Sequence, residues 1–214
     1  MTVSEALAKR KSIRAFKPEA VEKSLITEIL EKAARTPSWA NSQPWEVFVA
    51  SGDTLARIRK AYVENYKNAV KISTEIPRPA EWTEAAKERT RGLRPDMVRD
   101  CGEEADRFGE LNQNMFYAPC VLFLCIDKLL EHWALYDVGA YSQSVMLLAT
   151  EYGLGTIPAI TSVQYPEVLR KELKLPDNLK IAIGIPLGYI DDACQINNFN
   201  SARSPLSQSA SFCD

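Results

Sequence analysis

Few side chains of this chain could carry acid–base or covalent chemistry on their own. Of its 214 residues one is histidine, His132. A serine triad, a cysteine–histidine pair or a multi-histidine metal site would lack the imidazole that each needs as base or ligand. The five cysteines, Cys101, Cys120, Cys125, Cys194 and Cys213, are odd in number and contain no CxxC pair. Cys120 and Cys125 fall in the apolar run CVLFLCI and read as reduced core fillers. His132 reads as a surface residue before a helix. No metal site is expected, and the chemistry is expected to belong to a borrowed cofactor, which turns attention to the residues that could hold one.

Three stretches could. KRKSIRAFK, Lys9 to Lys17, carries five cations in nine residues. On a continuing helix Arg10 and Arg14 would share a face and Ser12 would point elsewhere. If the chain turns extended after Lys11, Arg10, Ser12 and Arg14 project to one side at period two, with Ile13 and Ala15 toward the core. Two guanidiniums with a hydroxyl between them suit a phosphate. Cations ending a helix also complement its dipole, and spacing alone leaves both readings open.

The second stretch is TPSWANSQPW, Thr36 to Trp45. Its two prolines bracket Ser38, Asn41, Ser42 and Gln43, groups that donate and accept along the edge of a heteroaromatic ring. An ordinary helix-to-strand connection has the same composition. The third is YGLGTIPAITS. It lacks the GxGxxG fingerprint, and no GxxxxGK[ST] occurs in the chain, so neither classical nucleotide motif is supported. Gly153 and Gly155 either end a helix or admit backbone close to a flat ligand.

The elements that must position these stretches follow from periodicity. Thr2 and Glu5 have capping-box spacing, predicting a helix to about Lys11. A second helix is expected over Glu22–Arg35, a strand over Trp45–Ser51, and a third helix from Asp53 toward Lys71. Residues 74–110 are charged and contain Pro77, Pro79 and Pro95; they read as an excursion with one or two exposed helices. PCVLFLCID is a buried strand, Trp133–Tyr152 a long apolar helix, TIPAIT strand-like, and KIAIGIPLG a last strand after a helix opened by Pro166. The tail from Asp191 is aperiodic, yet Phe199, Arg203 and Leu206 mark it as a segment that docks on something. Helices with about four strands give an α+β class and one domain over 1–214.

Composition narrows the partners. Lys plus Arg total 26 against 28 acidic residues, a net charge of −2, which argues against a polyanion binder and so against nucleic acid. No apolar run approaches the roughly 20 residues of a membrane-spanning helix. The N-terminus lacks a signal peptide's apolar core, so a cytoplasmic protein without membrane contact is expected.

Taken in order, RKSIRAF, PSWANSQPW, YDVGAYSQSVMLLATEYGLGT, YPEVLRKELKLPDN and NSARSPL resemble the FMN-dependent nitroreductase family over nearly the whole chain, and most of all its nitrobenzoate-reducing subgroup. The resemblance implies an α/β sandwich with a central, mainly antiparallel sheet flanked by helices, assembled as an intertwined homodimer with FMN at the interface. It implies that Arg10, Ser12 and Arg203 hold phosphate and ribityl oxygens, with Arg14 near the pyrimidine edge and Asn112 also at the cofactor. Pro37, Ser38 and Asn41 would come from the partner subunit, with Gln43 close by. Pro158, Ala159, Ile160, Thr161 and Ser162 would line the ring's other side, and the arm 191–214 would wrap the neighbouring subunit. NADH or NADPH would be the reductant and a small nitroaromatic or quinone the acceptor. Two positions depart from the family pattern: Trp39 stands where glycine is common and would cover the pocket or stack on substrate, and Asn200 stands where arginine is frequent. The same fold and cofactor would also serve a flavin reductase, a reductive dehalogenase or a non-catalytic flavin-binding module.

Overall fold

The structure, a computed structural model, describes residues 1–213. Its centre is a four-stranded antiparallel sheet in the order β1-β2-β4-β3, formed by β1 (Glu46–Ser51), β2 (Cys120–Asp127), β3 (Leu154–Thr156) and β4 (Leu179–Tyr189). Strand β2 is apolar on both faces because both are covered. Cys120, Leu122, Leu124 and Ile126 pack under α2 (Lys23–Ala33) and α6 (Glu131–Glu151). Val121, Phe123 and Cys125 pack under α3 (Gly52–Lys67) and α7 (Pro166–Leu173). Burying a side chain such as Phe123, 0% exposed, is worth about 1.5–3 kcal/mol, and the alternating faces fix the register of the sheet.

The first helix, α1 (Val3–Lys9), opens with the capping box expected from Thr2 and Glu5. It stops two residues before the sequence reading placed its end. Arg10 is already extended, at φ −63° and ψ 120°, because the following segment is drawn into the sheet. Ser12 makes a parallel bridge with Thr156, and the Ile13 N–H donates to the Thr156 carbonyl at 3.0 Å. A third apolar cluster forms there. Ile13, Ala15 and Phe16 meet Met97 and Cys101 of α4 (Glu84–Cys101), Leu111 of α5 (Phe108–Gln113), Ile157 and Ala159 after β3, and Ile196 and Phe199 of the tail. Gly155 makes this approach possible: a Cβ there would lie 2.7 Å from Ile13 Cγ1 and 2.9 Å from Ile190 Cγ1. Gly153, at φ 75°, ends α6 in the left-handed region.

Other boundaries moved modestly. Asp53 lies in the first turn of α3 rather than capping it, Ser51 taking the cap position. Of TIPAIT, only Thr156 is in a strand, although the Ile157 and Ala159 N–H groups still donate to the Pro186 and Gly184 carbonyls along β4. In the 74–110 stretch Pro95 sits inside the 18-residue α4, which buries only Met97 and Cys101. The stretch is tied down at its start: Arg170 donates to Glu75 Oε1 at 2.6 and 2.8 Å, and the Ile181 N–H donates to Glu75 Oε2 at 2.6 Å.

Candidate functional site

The extended segment Arg10–Ala15 is held in place by Asn197, 183 positions from Arg14. Asn197, 4% exposed, accepts from the Arg14 N–H at 2.7 Å and the Ala15 N–H at 3.1 Å. Its amide donates to the Ala15 carbonyl at 2.8 Å and the Asp191 carbonyl at 2.9 Å. With the Ile13, Arg14 and Ala15 N–H groups all paired, the segment is fixed and its side chains are set by geometry. Ile13 and Ala15 face the core as period two requires. Arg10 and Ser12 are half-buried. Arg14 goes deeper than the sequence reading placed it, only 9% exposed. Its guanidinium lies 4.9 Å from the Phe199 ring centre and 5.8 Å from that of Phe108, and Nη1 donates to the Ser12 carbonyl at 2.9 Å.

The electrostatics around this strip are unbalanced. Burial depresses the Arg10 pKa, and the nearby Arg203 guanidinium depresses it further. Burial does the same to Arg14. No carboxylate among the described residues forms an ion pair with Arg10, Arg14 or Arg203. Arg14 Nε is also buried without a hydrogen-bond partner. Desolvated cations are normally paired, so an anionic ligand with acceptor oxygens, such as the phosphate and ring carbonyls of FMN, fits this donor set.

Beside the strip runs the segment after β3. Pro158 and Ile160 are exposed, and Thr161 donates to Asn112 Oδ1 at 2.5 Å, which joins α5 to this wall. Ala159 is 6% exposed, its N–H spent on Gly184. Ser162 turns into the sheet: it is 0% exposed, its carbonyl accepts from the Tyr62 hydroxyl at 2.7 Å, and its Cβ fills the space above Gly184.

The loop Thr36–Trp45 lies elsewhere, against α6. Three successive turns of that helix hold it: Trp133 meets the Trp39 ring, Asp137 accepts from the Trp39 N–H at 3.1 Å, and Tyr141 stacks on Trp45 at 4.6 Å. Ser38 Oγ accepts from the Gln43 N–H at 2.9 Å. Ala40, Asn41 and Gln43 adopt φ of 50°, 57° and 45°, a left-handed conformation that only asparagine among them takes readily. Pro37, Trp39, Asn41 and Gln43 are exposed and Ser38 is half-buried. No hydrogen bond among the described residues links this loop to Arg10–Arg14.

A model of the nitroreductase family matches residues 7–189. The chain belongs to the nitroreductase family. A chloronitrobenzene nitroreductase of Comamonas testosteroni is 31% identical over 98% of this chain and 96% of its own length. A 4-nitrobenzoate reductase of Pseudomonas putida is 29% identical, covering 92% of this chain and 89% of that protein. Among solved structures, the FMN and NADPH-dependent nitroreductase NfnB of Sphigopyxis sp. strain HMH superimposes with a TM-score of 0.92 at 28% identity over the full length of both chains. NfnB of Mycobacterium smegmatis, an FMN-dependent nitroreductase solved with NADPH, does so at 0.89 and 26%, also over the full length of both.

Within this nitroreductase-family chain the basic stretch divides differently from its even appearance in sequence. Lys9 and Lys17 are exposed and Lys11 is half-buried. With Arg10 they line an open cavity of about 560 Å³ shared with Thr156, Asn197 and Asp192, which reaches neither Ser12 nor Arg14. Arg203 is exposed, its Nη1 donating to the Ser201 carbonyl at 2.9 Å. Two residues escaped sequence reasoning. Asn197 sits in an aperiodic tail, where nothing local marks it. Asp137 carries a signal that was legible: it is the one acid inside WALYDVGAYSQSVMLLAT, and a carboxylate that is 3% exposed needs a partner.

Proposed function

We infer that this chain is an FMN-dependent NAD(P)H nitroreductase that works as a homodimer. One observation carries the reading most: Arg10 with Arg203 nearby, and the buried Arg14 further along the same extended segment, make no ion pair among the described residues, while the amide-rich loop that should complete the site faces outward on α6. A two-fold partner is the simplest source of the missing loop. The excursion 74–110 and the arm 191–214 belong to the same single domain on this reading, residues 202–213 of the arm being exposed and available to a neighbour. A cytoplasmic location accords with the supply of NAD(P)H there.

When bound, FMN supplies two-electron redox chemistry, carrying reducing equivalents from NADH or NADPH to a nitroaromatic or quinone acceptor in ping-pong turnover. The chain's residues bind, orient and shield. Arg10, Ser12 and Arg203 hold phosphate and ribityl oxygens by charge-assisted hydrogen bonds. Arg14, kept rigid by Asn197 and Phe199, sets a buried positive charge at the pyrimidine edge, where negative charge gathers on reduction. Pro158, Ala159, Ile160 and Thr161 wall one side with Asn112 behind them, and Pro37, Ser38, Asn41 and Gln43 of a second copy close the other. Trp39 then stands at the mouth where the acceptor enters. Protons come from water, since His132 lies exposed on α6 and no other imidazole exists.

The test is spectroscopic. The purified protein should be yellow, lose that absorbance anaerobically with NADH or NADPH, and regain it on adding nitrobenzene. A protein that takes up no FMN, or whose flavin neither nicotinamide reduces, refutes the reading.

A further inference from the structure

We propose that Trp133, on the first turn of α6, determines acceptor specificity through the indole of Trp39. This rests on the nitroreductase reading and concerns a residue outside the cofactor set. Trp39 is 68% exposed, and its ring's aromatic neighbour is Trp133, with centroids 6.4 Å apart and planes inclined at 38°. Trp133 in turn meets Tyr136 at 6.5 Å in an edge-on arrangement. Exposed at 64% and 73%, these two continue the row of rings away from the loop.

The row is ordered by helix geometry. Trp133, Asp137 and Tyr141 fall at successive i, i+4 positions and therefore share one face of α6. Asp137 fixes the Trp39 backbone, Tyr141 fixes Trp45 at the far end of the loop, and Trp133 is left to fix the Trp39 ring. Ser144, seven residues past Asp137, receives the Thr36 hydroxyl at 2.7 Å and pins the loop's entry. The left-handed backbone of Ala40, Asn41 and Gln43 persists only where its surroundings over-determine it. The backbone of the loop is thus held by α6 independently of Trp133, and removing the Trp133 ring releases one degree of freedom, the swing of the Trp39 indole.

That indole offers an electron-rich face, and electron-poor rings stack on such faces in offset geometry. A flat nitroaromatic acceptor would stack against a fixed Trp39 and gain less from a mobile one. A small inorganic oxidant has no ring to stack. On the dimer reading this loop closes a flavin site and Trp39 stands at its mouth, so the row behind Trp39 meets the acceptor as it enters.

The experiment uses the FMN-loaded enzyme and two variants, Trp133→Leu and Trp133→Phe, assayed with nitrobenzene and with ferricyanide. Trp133→Leu should raise the nitrobenzene KM roughly three- to tenfold, leave kcat and ferricyanide turnover unchanged, and abolish the far-ultraviolet exciton couplet of the paired indoles. Trp133→Phe should restore most of the KM without restoring the couplet. An unchanged KM after loss of the couplet overturns the proposal. So does a variant that sheds FMN or dissociates, because the row would then be a subunit interface. Failure of either nicotinamide to reduce the unsubstituted protein would overturn the nitroreductase reading first, and this inference with it.

Discussion

Replacing Asn197 by alanine isolates the device on which the strip depends. The substitution removes one acceptor that serves two buried N–H groups, of Arg14 and Ala15, and two donated bonds to the Ala15 and Asp191 carbonyls. The carbonyl of Ala15 keeps a second partner, the Asp191 N–H at 3.2 Å, so the dominant cost is the two orphaned donors. At about 1–3 kcal/mol for each buried group left unsatisfied, the loss should be about 3 kcal/mol, a large fraction of the roughly 5–15 kcal/mol that holds a typical domain. For a chain of this length that corresponds to a fall of about 6–12 °C in Tm. FMN retention should fall with it, because Arg14 loses its backbone anchor. Asn197→Asp keeps an accepting oxygen but turns its other carboxylate oxygen toward the Ala15 and Asp191 carbonyls, so it should not restore the stability of wild type. Thermal unfolding at one fixed protein concentration, with the flavin released on dilution measured in parallel, reads both effects. A Tm within about 2 °C of wild type and unchanged retention in Asn197→Ala would refute the reasoning.

Four further outcomes follow. Arg10→Ala should weaken FMN retention by roughly 10- to 100-fold, the range for one charge-assisted hydrogen bond, and Lys9→Ala by less than about threefold; equal effects in equilibrium dialysis would count against the phosphate role. Gly155→Ala should cost about 1–3 kcal/mol by urea unfolding, since its Cβ would meet Ile13 and Ile190 at 2.7–2.9 Å, and a neutral result would show that the 10–14 strand can move. Burial pushes the Cys120 and Cys125 thiols up to about 12. At pH 8 the exposed Cys213 should react first with a disulfide reagent and the half-buried Cys194, whose thiol burial pushes up, more slowly, against five thiols after denaturation. Because the unfolded thiols ionise near 9.0 and the folded ones near 12, the stability that this burial lends is present below pH 9 and lost as pH rises toward 12; flat unfolding midpoints across that range would contradict it.

Much of the fold was legible because its signals are local. The capping box at Thr2 and Glu5, the uninterrupted CVLFLCI run and the Pro166 helix start each depend on neighbours within a few residues, and each appears where expected. The α+β class and the four strands follow from those patterns. The stretches proposed for the site are also visible in the sequence, as Arg10–Arg14, Thr36–Trp45 and Gly153–Ser162. What local pattern could not supply was their pairing. Ser12 on Thr156, Asn197 on Arg14 and Asp137 on Trp39 join residues 144, 183 and 98 positions apart.

The chain's own residues thus determined which groups could carry charge, accept hydrogen bonds or form a strand, and composition alone removed imidazole-dependent chemistry. Tertiary structure decided where α1 ends and how deeply Arg14 is buried. It also decided that Ser162 faces the sheet and that Lys9, Lys11 and Lys17 line a cavity. Periodicity tells a side chain which face of its own element to occupy. The depth, partner and charge balance of that face are set by whatever packs against it, and here those elements arrive from the far end of the sequence.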